Sequence, residues 1–553
     1  MADVNIHKDF QEHSIAEFFK KNRQMLGYSG KIKSLTTVVH EYVTNSVDAC
    51  EEAGILPEIY VKLERHGPEH FKVIVEDNGP GMSKNIVPKA FGTMLAGTKF
   101  HRFQQARGQQ GIGGSGCIMF SQVTTGKPTK VITSQGKGTV YECNLSIDVK
   151  ANAAQIQDPK EYSGHMKGTR LESEIKDVKY QKGEYSVDEY LRRTALANPH
   201  VKITYIDPEN LTTVYDRAVG VIPKKAKPTQ PHPKGVGVDD IMSLSSATKA
   251  RTVSSFLTTE LTRFSSHKAK EMQGMITFDI NKRPQDLRWN EAEEIVKAFE
   301  KMSFIAPPTD CLIPIGEKHL EKALDNILKP DFKTILERPA SIYRGGVPFI
   351  IEVALAYGGK SGKLTEEEAT GKSKTDIVED GLGIEPTNQI EIMRFSNRVP
   401  LLFDAGGCAI TKAVNSVEWK RYKLNEGSPM SILINFTSVH VPYTGAGKES
   451  IADDEEVTKE IRLALMDAGR RLGQFVSGQR KQYERTQKIQ TLLVYIQPVA
   501  EALAKITGEK EDILIKKMKA IVETKYTGSE DEDGESEEGA GEEENGEENG
   551  DDE

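Results

Sequence analysis

The chain has 553 residues, 37% of them hydrophobic and 28% charged, a balance typical of globular proteins in water. At roughly 150 residues a domain, this length predicts three or four domains. No apolar run approaches the roughly 18 residues that a membrane-spanning helix needs. Residues 1–5 lack the basic and then apolar pattern of a signal peptide. The composition therefore argues against fibrous, membrane-spanning and exported proteins.

The cysteines indicate a reducing environment. There are five of them, Cys50, Cys117, Cys143, Cys311 and Cys408, and they are scattered without a C-x-x-C pair. An odd and dispersed set argues against a disulfide framework and against a cysteine zinc site. The sequence therefore predicts a protein of the cytoplasm.

The net charge of −9 is distributed unevenly. Residues 530–553 contain 15 acidic side chains and no basic ones, so the rest of the chain carries a net charge of +6. A mildly basic body permits a polyanionic partner. The Gly-, Glu- and Asp-rich tail at 526–553 has too little apolar surface to offset its ordering entropy, which predicts disorder.

The first 222 residues alternate between helical and strand-like patterns. Lys31–Ala53 contains neither Pro nor Gly and repeats apolar residues at helical spacing, which predicts a long amphipathic helix. Residues 91–116 are rich in glycine and poorly periodic, which predicts a mobile loop. Apolar patterns predict strands at Glu58–Leu63, Phe71–Val75, Lys130–Thr133, Thr139–Leu145 and Gly168–Ser173.

Prolines then mark a boundary. Four of them between Pro223 and Pro233 oppose both helices and sheets, which predicts a linker at 223–236 after an N-terminal domain at 1–222. A helical domain is predicted at 237–306. Its helical patterns are Ile241–Leu244, Thr248–Phe264 and Glu291–Met302.

A third domain is predicted at 307–525, where strand-like and helical patterns mix. A long helical pattern begins at Glu455 and is expected to break at Pro498. The predicted strands are Phe349–Ala356, Gln389–Arg394 and Ser431–Val441.

The first predicted helix carries a regular polar stripe. Glu41, Asn45 and Asp48 are spaced i, i+4 and i+7, so one face presents a carboxylate, an amide and a second carboxylate. Taken alone, such a stripe is more often a solvated face. The alternative interpretation is a face for acid–base chemistry and metal binding, and the motifs that follow decide between the two.

Two glycine motifs follow this helix. A predicted strand ends at Asp77, after which Gly79 and Gly81 allow a tight turn, although a D-x-G-x-G run is also a common surface turn. Residues 108–116 contain five glycines and therefore expose backbone N–H groups, as anion-binding loops require. The apolar residues after them favour a helix whose positive end faces a phosphate.

Two literal motif matches are rejected. Gly111-Ile-Gly113-Gly-Ser-Gly116 fits G-x-G-x-x-G, but the mostly polar residues 101–110 do not form the strand that a dinucleotide-binding turn requires. Residues 354–361 resemble a Walker A loop, but Ala354 stands where the first Gly is needed. Lys360 is therefore not expected to bind a nucleotide.

Together with Gly168-Thr169 on a later strand, these motifs resemble the GHKL ATPases, the family of gyrase, MutL, the large heat-shock chaperones and histidine kinases. The resemblance implies a site for ATP and Mg²⁺. Glu41 would be the general base that polarises the attacking water. Asn45 would hold Mg²⁺ against the phosphates, with Asp48 a turn further along the same face.

The resemblance also implies an adenine side and a lid. Asp77 would accept the adenine amino group, Gly81 would shape that pocket, and Thr169 would add a hydroxyl group. The lid over the triphosphate would comprise Thr98, Lys99, Gly108, Gln109, Gln110, Gly111, Ile112, Gly113, Gly114 and Ser115.

The later part of the chain indicates which group of GHKL proteins it resembles. Lys448 lies in a Gly-rich turn between a predicted strand and a long helix, and it looks like the transducer-domain lysine that reaches the γ-phosphate. The helical domain at 237–306 is similar to a helix-two-turns-helix domain. With the run from Arg394 to Leu402, the chain resembles the B subunits of archaeal-type DNA topoisomerase VI over roughly residues 10–525.

This resemblance implies an α+β multidomain fold. Its parts would be a GHKL (Bergerat) ATPase sandwich, a helix-two-turns-helix insert, a transducer domain of ribosomal-S5-like α/β type with a long C-terminal helix, and a disordered acidic tail. The chain would dimerise through its ATPase domain on binding ATP, as a gate for the passage of double-stranded DNA. Supercoiled DNA would thereby be relaxed.

A partner A subunit would break the DNA, in an A₂B₂ assembly. This expectation agrees with the 17 scattered tyrosines, none of which sits beside a credible strand-borne set of carboxylates. The sequence Trp419-Lys420-Arg421-Tyr422 either contacts a DNA backbone or anchors a packed surface with solvated cations.

Two other classes remain as alternatives. A GHKL ATPase of chaperone or mismatch-repair type is the first, although the helical domain argues against a chaperone. A signalling kinase would need a phosphoacceptor helix before Glu41, and only 40 residues precede it.

Overall fold

The computed structural model describes residues 17, 21–94, 104–108, 111–362, 390–424, 428–445 and 447–527. The chain divides into two compact units, residues 1–472 and 473–553. Within the described residues, the first unit contains two β-sheets and a separate cluster of helices, and the second is helical.

The first sheet has eight strands in the described part of the chain. They are β1 (Glu58–Gly67), β2 (His70–Asp77), β3 (Thr129–Gln135), β4 (Thr139–Asp148), β5 (Ala153–Ser163), β6 (Lys167–Lys176), β7 (Lys202–Ile206) and β8 (Thr212–Tyr215). Their order is β5-β4-β3-β6-β2-β1-β7-β8. Only the β1–β7 pair is parallel among these strands. The five predicted strands are confirmed, whereas β5, β7 and β8 were not predicted.

Helices cover one face of this sheet. They are α1 (Lys31–Ala53), α2 (Val87–Phe91), α3 (Gly113–Thr125) and α4 (Val187–Ala197). The predicted long helix is confirmed with unchanged bounds as α1. Its apolar residues, such as Val39 and Val43, are fully buried, and the Tyr42 hydroxyl lies 2.7 Å from that of Ser173 on β6. Each such burial contributes roughly 1.5–3 kcal/mol, which fixes α1 on the sheet.

The cluster of helices has its own apolar core. It comprises α5 (Val238–Ala247), α6 (Val253–Glu260), α7 (Ser266–Gln273) and α8 (Trp289–Lys301). The single helix predicted at Thr248–Phe264 was too long. The Thr252 hydroxyl accepts a hydrogen bond from the Ser255 N–H at 3.1 Å, and this N-cap starts α6 at Val253.

The second sheet lies in the predicted third domain, and the described residues give it six strands. They are β9 (Phe332–Glu337), β10 (Ser341–Tyr343), β11 (Val347–Tyr357), β12 (Glu391–Ser396), β13 (Val399–Pro400) and β14 (Met430–Ser438). The order is β10-β11-β14-β12-β13, with β9 beside β11. Two helices, α9 (Glu317–Ile327) and α10 (Ala409–Asn415), accompany it. The three predicted strands are confirmed with small changes at their ends.

The two sheets share packing. Leu196 and Ala197, at the end of α4, are fully buried in the core of the second sheet together with Leu320, Phe395 and Leu433. In return, Leu402 belongs to the core of the first sheet. The described part of the first unit is therefore joined by apolar contacts between residues far apart in sequence.

A long helix, α11 (Glu455–Thr507), is followed by α12 (Glu511–Thr527). The break predicted at Pro498 was wrong, because α11 continues through this proline. Ile496 and Ala500 on either side of it are buried, and their packing offsets the hydrogen bond that proline cannot donate. The helix ends before Gly508, whose φ of +72° is left-handed. Residues 526 and 527 of the predicted tail end α12, and 528–553 lie outside the described residues.

None of the helices in the described part of the chain has the length and apolar content that a membrane crossing requires. The five cysteines all fall within the described residues, where they are buried and free.

Candidate nucleotide-binding site

The polar stripe of α1 meets the glycine-rich loop. A Cβ atom added to Gly113 would lie 1.8 Å from Oε2 of Glu41, so this carboxylate lies directly against the first residue of α3. A Cβ atom on Gly114 would lie 3.6 Å from Nδ2 of Asn45. The structure therefore brings together two motifs that are about 70 residues apart in sequence.

The start of α3 supplies positive charge at this point. Its first residues, Gly113, Gly114 and Ser115, have backbone N–H groups without an acceptor earlier in the helix. The N-cap residue, Ile112, has no polar side chain that could accept from them. These N–H groups and the helix dipole make this end of α3 suited to an anion.

Asp77 forms the centre of a second polar group, at the end of β2. Its Oδ1 accepts hydrogen bonds from the N–H groups of Gly79 at 2.9 Å and Thr169 at 3.2 Å, and its Oδ2 accepts one from the Ser46 hydroxyl at 3.0 Å. The side chain is buried. Burial raises the pKa of Asp77, and the bonds from Gly79, Ser46 and Thr169 oppose this shift. Three donors leave acceptor capacity on this carboxylate for one more group.

Glycine is required where the backbone that follows Asp77 passes close to β3. Gly81 has a left-handed φ of +63°, and a Cβ atom there would lie 2.0 Å from the carbonyl oxygen of Ser134. The hydroxyl of Thr169 lies 3.1 Å from that of Thr133, which accepts a hydrogen bond from the Met82 N–H at 2.9 Å. The predicted adenine-side residues Asp77, Gly81 and Thr169 are thus adjacent.

Asp48, predicted on the nucleotide-binding face of α1, forms an ion pair with Arg107. Its carboxylate lies 2.6 Å from Nη1 of Arg107, whose other contacts are Glu51 at 2.7 Å and the Asn198 side chain at 2.7 Å. His200 joins through a 2.7 Å contact to Glu51. Burial alone lowers the pKa of Arg107, but the two carboxylates outweigh burial and raise it. Asp48 therefore belongs to a buried ion-pair cluster.

This cluster also ties the loop to the second sheet. Gln105 exchanges two hydrogen bonds with the backbone of Ile313, at 2.6 and 3.0 Å. The Asn397 side chain donates to the carbonyl of Ala106 at 3.2 Å. Residues 104–108 of the predicted loop are therefore held by α1 and by segments next to the second sheet.

The charge of Lys448 acts on a residue of α1. Lys448 lies in the connection between β14 and α11, with a left-handed φ of +53°. Burial lowers the pKa of His40, Glu41 opposes this effect, and the charge of Lys448 lowers the pKa further. The ammonium group of Lys448 is thus within electrostatic range of the residue next to Glu41.

Some predicted residues cannot be placed. Thr98, Lys99, Gln109 and Gln110 lie outside the described residues. Gly108 is described, and a Cβ atom on it would meet no atom within 4 Å. The loop predicted at 91–116 ends earlier than expected, because α3 begins at Gly113.

The donor set suits a magnesium nucleotide. Asn45 is exposed between the buried residues Thr44 and Ser46, so its amide oxygen can reach a ligand. Mg²⁺ prefers oxygen ligands and is usually held by one or two side chains together with phosphate oxygens. An exposed amide beside the anion-binding end of α3 fits this preference.

Sequence reasoning missed several residues of the site. Ser46, Arg107 and Glu449 all make polar contacts here. Ser46 directly follows Asn45 on α1, and this position next to the polar stripe could have indicated that Ser46 belongs to the site. Arg107 and Glu449 have partners that are 59 and 416 residues away, and nothing in their local sequence indicates those partners.

Comparison with known proteins defines the class. The family described as "Histidine kinase-, DNA gyrase B-, and HSP90-like ATPase" matches residues 30–149. The family described as "Topoisomerase VI B subunit, transducer" matches residues 307–488. The N-terminal sheet and its helices are therefore a GHKL-type ATPase domain, which is a nucleotide-binding domain, and the second sheet belongs to a transducer domain.

Curated relatives define the family more closely. The B subunit of type 2 DNA topoisomerase 6 from Pyrococcus horikoshii is 43% identical over 95% of this chain and 97% of its own length. Proteins of the same name from Thermococcus kodakarensis and Methanothermobacter thermautotrophicus are 42% and 44% identical, over 96% and 91% of this chain and 98% and 93% of their own lengths. The chain belongs to the family of type 2 DNA topoisomerase 6 B subunits.

Two solved structures are weakly similar to this chain. The ATPase region of Saccharomyces cerevisiae topoisomerase II, bound to dexrazoxane, has a TM-score of 0.39 at 12% identity, over 85% of this chain and 99% of that one. The N-terminal domain of a DNA repair protein has a TM-score of 0.38 at 11% identity, over 79% of this chain and 94% of that one.

Proposed function

We propose that this chain is the ATP-binding and ATP-hydrolysing B subunit of a type II DNA topoisomerase. ATP binding closes two copies of the N-terminal domain into a gate, and hydrolysis reopens it, so that one DNA duplex passes through another. The observation that supports this proposal is the contact of Glu41 with the start of α3, together with the charge of Lys448 acting on His40, the neighbour of Glu41.

The adenine end is built on Asp77. In our proposal, its remaining acceptor capacity takes the adenine amino group, while Ser46, Gly79 and Thr169 hold the carboxylate in place. Gly81 keeps the neighbouring backbone close enough to form the pocket wall. A buried acceptor of this kind discriminates strongly, because a base without a donor leaves it unpaired.

The phosphate end is built on α3 and α1. The N–H groups from Gly108 to Ser115 would bind the phosphates, and Thr98 and Lys99 would extend the lid. Asn45 would hold Mg²⁺, which neutralises phosphate charge when bound. Asp48 would act indirectly, because it fixes Arg107 and so the end of the lid segment.

Hydrolysis at the γ-phosphate needs a base and a cation. Glu41 is proposed to orient the attacking water and accept its proton, since its carboxylate lies beside the anion site. Lys448 is proposed to contact the γ-phosphate and neutralise the charge that develops there. Through this contact, the transducer domain would respond to whether the bound nucleotide is a triphosphate.

We assign DNA breakage to a partner A subunit, in an A₂B₂ assembly, and place the complex in the cytoplasm. Double-stranded DNA is the proposed substrate. Trp419 and Tyr422 lie 6.3 Å apart between their ring centroids, with Arg421 exposed beside them. We propose this group as a contact to the DNA backbone.

The test compares two lysines and the base. Lys448→Ala is expected to lower ATP turnover and DNA relaxation together and to leave ADP binding little changed, because ADP has no γ-phosphate. Lys448→Arg should restore activity only in part, since a planar guanidinium group does not replace a compact ammonium charge.

Glu41→Ala should keep ATP binding and lose hydrolysis by about 10²-fold or more.

The matched control is Lys360→Ala, in the Walker-like run, where the exposed lysine follows β11 and no loss is expected. Phosphate release, relaxation of supercoiled plasmid with the A subunit, and calorimetric ADP binding are the measurements. Loss of hydrolysis in Lys360→Ala with full activity in Lys448→Ala would mean that the wrong lysine was chosen. Near-normal hydrolysis in Glu41→Ala would remove the proposed base.

A further inference from the structure

The segment that carries Lys448 is a small hairpin. A bridge between Tyr443 and Ile451 closes it, and the Thr444 N–H donates to the Ser450 carbonyl at 3.0 Å. Lys448 itself is in the left-handed region, with its N–H donating to the Gly445 carbonyl at 3.1 Å. The backbone of the hairpin thus sets the direction of the lysine, but only contacts outside the hairpin can set its position over the site.

The next residue, Glu449, makes such an outside contact. Its carboxylate forms an ion pair with Lys33 on α1, and the two side chains are only 14% and 16% exposed. The ammonium group of Lys33 also lies 5.2 Å from the ring centre of Phe403, in cation–π geometry. A largely buried pair of this kind is screened much less by solvent than one on the surface.

Further charged groups complete the surroundings of Glu449. Asp404, in the turn after β13, is hydrogen-bonded to the Glu449 carboxylate. The guanidinium group of Arg394 on β12 donates to the Phe403 carbonyl at 2.7 Å and to the Glu449 carbonyl at 3.5 Å. The charged groups that face Glu449 are therefore Lys33 from the ATPase domain and Asp404 and Arg394 from the transducer domain.

The position of Lys33 gives the ion pair its significance. Lys33 and Glu41 lie eight residues apart on the same straight helix, a separation of about 12 Å at 1.5 Å a residue. The helix that carries the proposed base therefore also holds the hairpin that carries the proposed γ-phosphate lysine. One rigid element sets the distance between these two groups.

We propose that Lys33 and Glu449 form a latch that positions Lys448 over the nucleotide. Both are positioning residues, because they act through Lys448: Lys33 lies about two turns before Glu41 on α1, and Glu449 follows Lys448 in the hairpin. The proposal rests on the role given to Lys448 above and adds the device that places it. Opening the latch leaves the site intact but lets the hairpin move away from α1, so the turnover number falls more than nucleotide affinity.

The experiment uses charge reversal in the full-length chain. Lys33→Glu and Glu449→Lys are each expected to lower kcat for ATP by about 10- to 100-fold, the size expected for a misplaced catalytic group. KM and ADP affinity should change little. The double variant Lys33→Glu with Glu449→Lys restores the attraction with opposite polarity and should recover most of the loss. Assays are run at pH 8.5, because burial and Asp404 raise the pKa of Glu449 to about 7.

The control is an exposed ion pair whose lysine is also on α1. Lys31, two residues before Lys33, pairs with Glu69, and their side chains are 52% and 48% exposed. Lys31→Glu and Glu69→Lys should leave kcat unchanged. Should a reversal in the buried pair prevent folding, Glu449→Gln removes the charge while keeping a group that can bond to Asp404. At pH 8.5 this variant should have an unfolding midpoint no lower than that of the wild type and should still lose kcat.

The possible outcomes distinguish a failure of the latch proposal from a failure of the proposed function. Full activity of Lys33→Glu, Glu449→Lys and Glu449→Gln, with activity lost in Lys448→Ala, would overturn the latch alone. Activity retained in Lys448→Ala would instead overturn the role of that lysine. Folded single variants that lose kcat without any recovery in the double variant would show that the two residues do not act as a pair.

Discussion

Two carboxyl groups near the site have raised pKa values for the same first reason, burial, but they differ in what surrounds them. Asp77 accepts only hydrogen bonds from neutral donors, whereas Glu449 lies between the ammonium group of Lys33 and the carboxylate of Asp404. Burial and Asp404 raise the pKa of Glu449 to about 7, while Lys33 opposes the shift. Glu449 therefore changes its charge near neutral pH.

This titration predicts that stability and kcat depend on pH in opposite directions. The native pKa of Glu449, about 7, is above the ordinary value of 4.5. Its contribution to stability is therefore fully present below about pH 4.5 and is lost as the pH rises through about 7. The charge that pairs with Lys33 appears over the same window, so kcat should rise while stability falls.

The measurement compares the wild type with Glu449→Gln between about pH 5.5 and 8.5, around the raised pKa. The unfolding midpoint of the variant, relative to the wild type, should rise with pH, and the rise of kcat near pH 7 should be absent from the variant. Parallel kcat profiles in the two proteins would show that Glu449 does not control this titration.

At this scale, sequence reasoning reaches residues whose motif is local. Helical spacing predicts Glu41 and Asn45 on one face, and the structure puts both beside α3. Asp77 is predicted because it ends a buried strand before glycines. The latch could not have been found, since Lys33 and Glu449 are 416 residues apart and a single Lys or Glu in a sequence says nothing of its partner.

At the scale of elements, polar contacts tie the segment 104–108 to two other parts of the chain. Arg107 ties it to Asp48 and Glu51 on α1, and Gln105 ties it to Ile313 near the second sheet. The Arg107 and Asp48 side chains are only 8% and 13% exposed, so the cluster is desolvated. Removing one partner leaves buried charges without compensation.

Arg107→Met is therefore expected to lower the free energy of unfolding by about 3–5 kcal/mol, the usual cost of breaking a buried pair from one side. Arg65→Met is the matched control, because Arg65 and Glu209 are 43% and 44% exposed. The control should change stability by at most about 1 kcal/mol. Denaturant unfolding of both variants is the measurement. Equal midpoints for the two would mean that the Arg107 cluster adds no stability.

The elements themselves were predicted unevenly, for physical reasons. α1 was predicted with its bounds because it is long, periodic and bounded by glycines. β5 was missed because it is exposed along most of its length and so lacks alternation. The error at Pro498 arose because local propensity was given more weight than the packing on either side of the proline.

For the whole molecule, the proposal predicts a change of mass on binding nucleotide. The chain should be largely monomeric alone and should dimerise with a non-hydrolysable ATP analogue, because the Gly-rich lid predicted at 91–116 has a high entropy cost of ordering, which bound phosphate would offset. Light scattering with and without the analogue measures this change. Asn45→Ala should remain monomeric if Asn45 holds Mg²⁺, and an unchanged mass for the wild type would contradict the gate.

The shared packing of the two sheets has a consequence for how the chain can be divided. Leu196 and Ala197 are buried by residues that come more than 100 positions later, so the proline-rich linker at 223–236 separates the chain in sequence but not in its core. A fragment ending at residue 222 would expose an apolar patch to water. Such a fragment is prone to aggregate, and cutting the linker in the intact protein would leave its two halves associated. The two sheets should then melt together in one calorimetric transition, because each contributes residues to the core of the other.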